Sequence, residues 1–207
     1  MLYDGPAILA KLFGLLFMMM GPVAVIPVFA GLTARVERPQ ARAIAVRAAL
    51  FAAAAVTLAG LVGYSMLAAW GGTPGSLVLA AGLLLMISAL KGVLGSPAGP
   101  PGNDGPGKDI ALSPLAFPTL VTAHGVGVLI VFTAYVQDLQ MKLAMVGVAL
   151  GVVLVNLVAM LLAQRIMGLI GIVPLKLLGA VFGVLQLAFG VELVARGAAM
   201  LTKSLAA

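Results

Sequence analysis

The sequence predicts an all-α membrane protein of about six transmembrane helices, arranged as two inverted three-helix repeats with proline-broken first and fourth helices. Three observations predict this class. Of the 207 residues, 63% are hydrophobic and 9% are charged. In a soluble domain, roughly a quarter of all residues are charged. The apolar residues form long runs of the length that a bilayer about 30 Å thick requires. Two of these runs are longer than one crossing needs and contain prolines.

The whole chain, residues 1–207, is predicted to be a single integral membrane domain. Repeat 1 covers about 1–94 and repeat 2 about 110–203, and residues 95–109 form a linker rich in Gly and Pro. Each repeat has an odd number of crossings, so the second starts on the opposite face of the membrane. If the halves are related, they therefore form an inverted repeat.

The first span, about residues 7–33, contains Pro22 and Pro27 near its middle. Each proline removes an amide donor and clashes with the preceding turn. The span is therefore predicted to be two half-helices or one strongly kinked helix. Broken backbone at membrane depth occurs only where protein or a water-filled cavity surrounds it, and this predicts a polar site.

The second and third spans, about 41–68 and 75–94, follow a cluster of basic residues. Excess Lys and Arg mark cytoplasmic loops. Both termini are therefore predicted to lie on the non-cytoplasmic side of the membrane. The basic cluster, which we assign to a cytoplasmic loop, consists of Arg35, Arg38, Arg42 and Arg47.

The fourth span, about 110–136, is again over-long and contains Pro114 and Pro118. The fifth span is predicted at about 141–163 and the sixth at about 174–196, where Glu192 lies toward the end. Glycines at helical spacing favour close helix packing, and a surface for helix sliding is the alternative. They are Gly179, Gly183, Gly190 and Gly197 in the sixth span and Gly147 and Gly151 in the fifth.

The two breaks are the predicted substrate site. A half-helix amino terminus suits a carboxylate, and a half-helix carboxyl end suits an ammonium group or a sodium ion. A zwitterion fits both, and the lack of charged residues predicted at mid-span favours a net-neutral solute. The alternative is that these residues only kink the helices for packing. The predicted substrate-binding residues are Gly21, Pro22, Pro27, Pro118, Thr119, Thr122, His124 and Gly125.

Three other polar positions lie in the apolar runs. His124, the only histidine, either relays protons, since imidazole titrates near neutral pH, or is a neutral ring bonded to a freed carbonyl, and we favour the second. Gln186 shares the glycine face of the last span, so a hydrogen bond across helices is expected. Asn156 lies within the fifth span, and its role is open.

The composition also restricts the function. The chain has no cysteine and one histidine, so we expect no metal, no cofactor and no enzyme activity of the triad type. The basic residues lie at the ends of apolar runs without interleaved aromatics, so nucleic acid is not an expected partner. The expected partners are a small neutral solute, H+ or Na+, the lipid bilayer and, for a homo-oligomer, a second copy.

Three motifs resemble the MarC family, six-span inner-membrane proteins that are also classed as small neutral amino acid transporters. They are Gly21 to Phe29 followed by Leu32-Thr33, then Pro114 to Thr119, and Gly190 to Leu193 with Gly197. The resemblance covers nearly the whole chain. It implies secondary transport of glycine, alanine or serine by alternating access, coupled to a proton or sodium gradient. The alternative is a non-transporting scaffold or partner-binding protein with the same fold.

Overall fold

The structure, a computed structural model, describes residues 5–94 and 111–205. This part of the chain is helical and contains no strand. The predicted linker at 95–109 lies outside the described residues. The helices are α1 (Gly5–Met20), α2 (Pro22–Leu32), α3 (Arg38–Ala69), α4 (Pro74–Val93), an irregular segment (Ala111–Leu120), α5 (Ala123–Ala134), α6 (Leu139–Ile170) and α7 (Ile172–Leu205).

Five stretches of this described part are long and apolar enough to cross a membrane. The first of them, Gly5–Leu32, combines α1 and α2. The irregular segment and α5 are bent by 57° relative to each other and make a sixth span if they are counted together. The prediction of a multi-pass helical membrane protein is confirmed.

The connection between the last two helices differs from the prediction. A loop was expected before a sixth span at about 174–196, but Gly171 alone separates α6 from α7. Its φ of 74° lies in the left-handed region, where a residue without a Cβ is favoured. Because α7 continues to Leu205, Glu192 lies just past the middle of this 34-residue helix. The prediction that Glu192 lies toward the end was wrong.

The glycine face of α7 is in part a packing seam against α4. A Cβ at Gly197 would lie 2.5 Å from the backbone nitrogen of Leu79, and one at Gly190 would lie 2.7 Å from the side chain of Met86. Only glycine allows this approach, and α4 with α7 is the most extensive helix pair in the described chain. The same prediction was wrong for other glycines. Apart from the backbone of the same helix turn, no described atom lies within 4 Å of a Cβ built at Gly147, Gly151 or Gly179.

The two spans with breaks pack against different long helices. Helices α1 and α2 lie along α6, whereas the irregular segment and α5 lie along α3. Helices α3 and α6 also contact each other. Each break therefore faces the middle of the bundle from one side.

Candidate functional site

The break in the first span is a single extended residue. Helix α1 ends at Met20, α2 begins at Pro22, and Gly21 between them has φ −82° and ψ 174°. A Cβ at Gly21 would lie 1.8 Å from the carbonyl oxygen of Phe17. Any other residue here would require the backbone to move. Pro27, in contrast, lies inside α2, and the helix continues through it.

The end of α1 leaves main-chain carbonyls without partners in its own helix. Gln186 Nε2 donates a hydrogen bond to the carbonyl of Met18 at 2.6 Å, and Asn156 Nδ2 donates to that of Met20. The ring of His124 lies against the main chain of Met19 and interacts favourably with it. Side chains from three different helices therefore stabilise three consecutive residues at the end of α1.

Part of the break in the fourth span is satisfied locally. Ser113 and Phe117 have extended backbone within the irregular segment, with φ near −135° at both positions (−136° and −134°). The hydroxyl of Thr122 accepts a hydrogen bond from the amide of Gly125 at 3.2 Å and caps α5. The amide of Val121 donates to the carbonyl of Ala116 at 2.9 Å.

The two breaks meet inside the bundle. A Cβ at Gly125 would lie 2.6 Å from Cγ and 2.7 Å from Sδ of Met20, so the first turn of α5 rests on the end of α1. The adjacent His124 is 7% exposed and Asn156 is 1% exposed. The centre of this contact is therefore closed to the surface on both flanks.

The structure assigns the predicted site residues to different surroundings. Gly21, His124 and Gly125 are buried together at the meeting of the breaks. Pro118 is exposed. The others are half-buried: Pro22 at the start of α2, Pro27 within it, Thr119, which has a bonding partner of its own, and Thr122 at the cap of α5.

Two polar residues outside the predicted set complete the site. Gln186 makes the hydrogen bond across helices that its position predicts. Asn156, whose role the sequence left open, binds the carbonyl end of α1. A buried amide in the middle of a 32-residue apolar helix was the signal available for it, since intramembrane polar residues need partners.

Within residues 5–94 and 111–205, two buried side-chain atoms have no hydrogen-bond partner: His124 Nε2 and Asn156 Oδ1. Both belong to side chains anchored at the end of α1. Buried polar atoms are normally paired with protein or ordered water. Two unpaired atoms at the meeting of the breaks therefore indicate capacity to bind a polar ligand.

Two cavities lie toward opposite ends of the bundle. One of about 690 Å³ is lined by the end of α2, the start of α3 and the last turns of α6, including Met160, one turn from Asn156. The other, about 740 Å³, is lined by α1 as far as Met18 and by the beginning of α6 at Met145. The break in the first span therefore lies between them.

The charges at these cavities differ in arrangement. Arg38, Arg42 and Arg165 line the first cavity, whereas Lys11 and Arg196 line the second. Arg196 forms a salt bridge with the exposed Glu192 at 2.5 Å. No group of three His, Cys, Asp or Glu side chains among the described residues could hold a metal ion.

The fold defines a multi-pass helical integral membrane protein with five or six candidate spans among the described residues. The model of the MarC family of integral membrane proteins matches residues 7–202, so the chain belongs to the MarC family. No curated protein and no solved structure gives a significant match.

Proposed function

We propose that this MarC family protein is a secondary transporter of small neutral solutes, with glycine, alanine and serine as the first candidates. One observation carries the proposal. Polar side chains of three helices converge on the broken end of α1, between cavities of about 690 and 740 Å³. A closed polar layer between two cavities is what alternating access to one site requires.

The charge distribution favours a net-neutral solute. The side chains that bond to the end of α1 are His124, Asn156 and Gln186, none of them an acid or a permanent cation. A permanently charged solute at membrane depth would need an opposite buried charge. Glu192 bonds to Arg196 on its own helix, so this pair adds no net charge.

The break in the first span offers both halves of a zwitterion site. The carbonyl end of α1 has negative character, and the amino end of α2 has positive character. The N-cap of α2 is Gly21, which has no side chain that could cap the helix. Pro22, the first residue of α2, has no amide hydrogen. The next amides of α2, at Val23 and Ala24, are thus the donors that would face a carboxylate.

Helix packing supports alternating access by an inverted repeat. The first span lies along α6 in the way that the fourth lies along α3, while α3 with α6 and α4 with α7 pair across the halves. If the first span is exchanged with the fourth, α3 with α6 and α4 with α7, each of these helix pairs is converted into another pair of the same set. Rocking of one half on the other would open the two cavities in turn.

The proposal includes the coupling and the location. A proton or sodium gradient would drive transport in the inner membrane. The cavity with Arg38, Arg42 and Arg165 would face the cytoplasm, because Lys and Arg accumulate on that side. Both termini would then lie on the opposite side.

The test is uptake of radiolabelled glycine or alanine by proteoliposomes, with and without an imposed proton or sodium gradient. We expect gradient-dependent flux that His124→Gln and Asn156→Leu reduce. Thr133→Val is the matched control, because Thr133 is buried in α5 but bonds only to the nearby carbonyl of Ile130. Flux no greater than in empty vesicles for every small amino acid would contradict the proposal. A fixed co-purifying protein would then favour the scaffold alternative.

A further inference from the structure

We propose that Asn156 and His124 form a pair of hydrogen-bond acceptors that recognises a primary ammonium group, which makes Asn156 a specificity residue. This inference deepens the proposed function and rests on it for the identity of the solute. The two acceptors together determine how the solute is oriented in the site. The amino end of the solute would lie at the end of α1.

The first step concerns the free atom of Asn156. A carboxamide has one oxygen acceptor and two hydrogens on its nitrogen. The nitrogen already donates to the carbonyl of Met20, and the oxygen, Oδ1, has no partner in the described part of the chain. What Asn156 offers to a ligand is therefore an acceptor.

The second step concerns His124. Its ring lies against the main chain of Met19, and the carbonyl is the free main-chain group there, since Met19 lies in the last turn of α1. We assign the ring hydrogen to the nitrogen that faces this carbonyl, because the other tautomer would set two lone pairs against each other. Nε2 is the ring atom without a partner among described residues, and in the neutral ring it is an acceptor.

The third step combines the two atoms. Their side chains are anchored on consecutive residues, Met19 and Met20, and both are more than nine-tenths buried. A carboxylate or a carbonyl would place lone pairs against these lone pairs. An ammonium group supplies up to three donors, and the negative end of α1 favours its positive charge.

The chemistry of the pair also distinguishes an ammonium group from a metal cation. Hard cations are held by several oxygen ligands, whereas one acceptor of this pair is an imidazole nitrogen. A single ordered water could also satisfy both atoms. The experiment must therefore separate an amine, a metal cation and water.

The test is ligand binding to the detergent-purified full chain, measured by calorimetry and by the thermal unfolding midpoint. Three probes are used: alanine, alaninol, which keeps the ammonium group and lacks the carboxylate, and N-acetylalanine, which lacks the ammonium group. We expect alanine to bind, alaninol to bind more weakly because its positive charge has no counter-charge in the site, and N-acetylalanine not to bind. Asn156→Leu should weaken alaninol binding about 10- to 100-fold, the range expected for a lost hydrogen bond to a charged group.

Two further variants keep the test decisive. Asn156→Asp keeps an oxygen acceptor at this position and loses the Nδ2 donor to Met20, so it should retain alaninol binding that Asn156→Leu loses. It also serves if the Leu variant does not fold. Thr133→Val removes a buried hydroxyl of α5 that bonds within its own helix, and its alaninol affinity should equal that of the wild type.

Several results would overturn the inference. These are N-acetylalanine binding as tightly as alanine, stabilisation by sodium chloride but not by alaninol, or no binding of either amine, which would indicate water alone. The two proposals fail separately. Alaninol binding that depends on Asn156, without flux, would remove transport and keep the ammonium site. If Asn156→Leu leaves alanine flux unchanged, the ammonium site is removed and transport is kept.

Discussion

At the break of the first span, Gln186, His124 and Asn156 reach the end of α1 from three other helices. At the break of the fourth span, Thr122 caps α5 through an amide only three residues further on. Both spans carry the same signal in the sequence, an apolar run interrupted by prolines. Freed backbone groups in a membrane must find partners, and these two breaks find theirs at very different distances along the chain.

The source of the partners determines what each break can do. A local cap directs a short side chain back to its own helix, as at Thr122, whose hydroxyl accepts from the amide of Gly125. A distant partner brings a whole polar side chain into the bundle, and one of its atoms is left over. Asn156 Oδ1 and His124 Nε2 are such atoms. The first break is therefore the part of the molecule where we propose that a solute binds.

The largest effect that this comparison predicts is that of Gly21→Ala. Its Cβ would lie 1.8 Å from the carbonyl oxygen of Phe17, so the break must open and its three side-chain contacts must shift. Overpacking of this kind costs up to about 3 kcal/mol of unfolding free energy. The measurement is denaturant-induced unfolding of the purified protein in detergent micelles.

The control for Gly21→Ala is Gly31→Ala in the same span. No described atom lies within 4 Å of a Cβ at Gly31, and alanine is the better helix former. This variant should be neutral or slightly more stable. Equal stability of the two variants would contradict the prediction, because it would show that the backbone at Gly21 accommodates a Cβ without cost.

The location of the first break was predictable, because a proline following a glycine within an apolar run is a strong signal. Pro27, a second proline in the same apolar run, was misleading, because α2 continues through it. A helix whose neighbours compensate for the missing hydrogen bond can continue through proline. Local pattern identifies where a helix can break, whereas packing decides where it does.

The partners of the break were not predictable from the sequence. Asn156 and the carbonyl of Met20 are 136 residues apart, and Gln186 and that of Met18 are 168 apart. No periodicity connects positions so distant. The one-residue turn at Gly171 was missed for another reason, since its left-handed φ becomes visible only when both flanking helices are known.

The second effect, of intermediate size, is that of Asn156→Leu. It leaves the buried carbonyl of Met20 without the donor that Asn156 supplies. An unsatisfied buried group costs about 2 kcal/mol, so the free energy of unfolding should fall by this amount. Thr133→Val provides the reference for loss of a buried hydroxyl with a bond inside its own helix. A loss no larger than that of the reference would mean that the distant contact contributes nothing beyond a local one.

The smallest effect is expected for Thr122→Ala at the break of the fourth span. It removes the side-chain cap that accepts from the amide of Gly125, and loss of such a cap costs about 1 kcal/mol. Thr122→Ser should restore most of this loss, because a serine hydroxyl caps equally well. The measurement is denaturant-induced unfolding of Thr122→Ala, Thr122→Ser and Asn156→Leu under one set of conditions, which ranks their losses of unfolding free energy. A loss from Thr122→Ala that exceeds the loss from Asn156→Leu would reverse the comparison, since the local cap would then contribute more than the contact that joins the two halves of the chain.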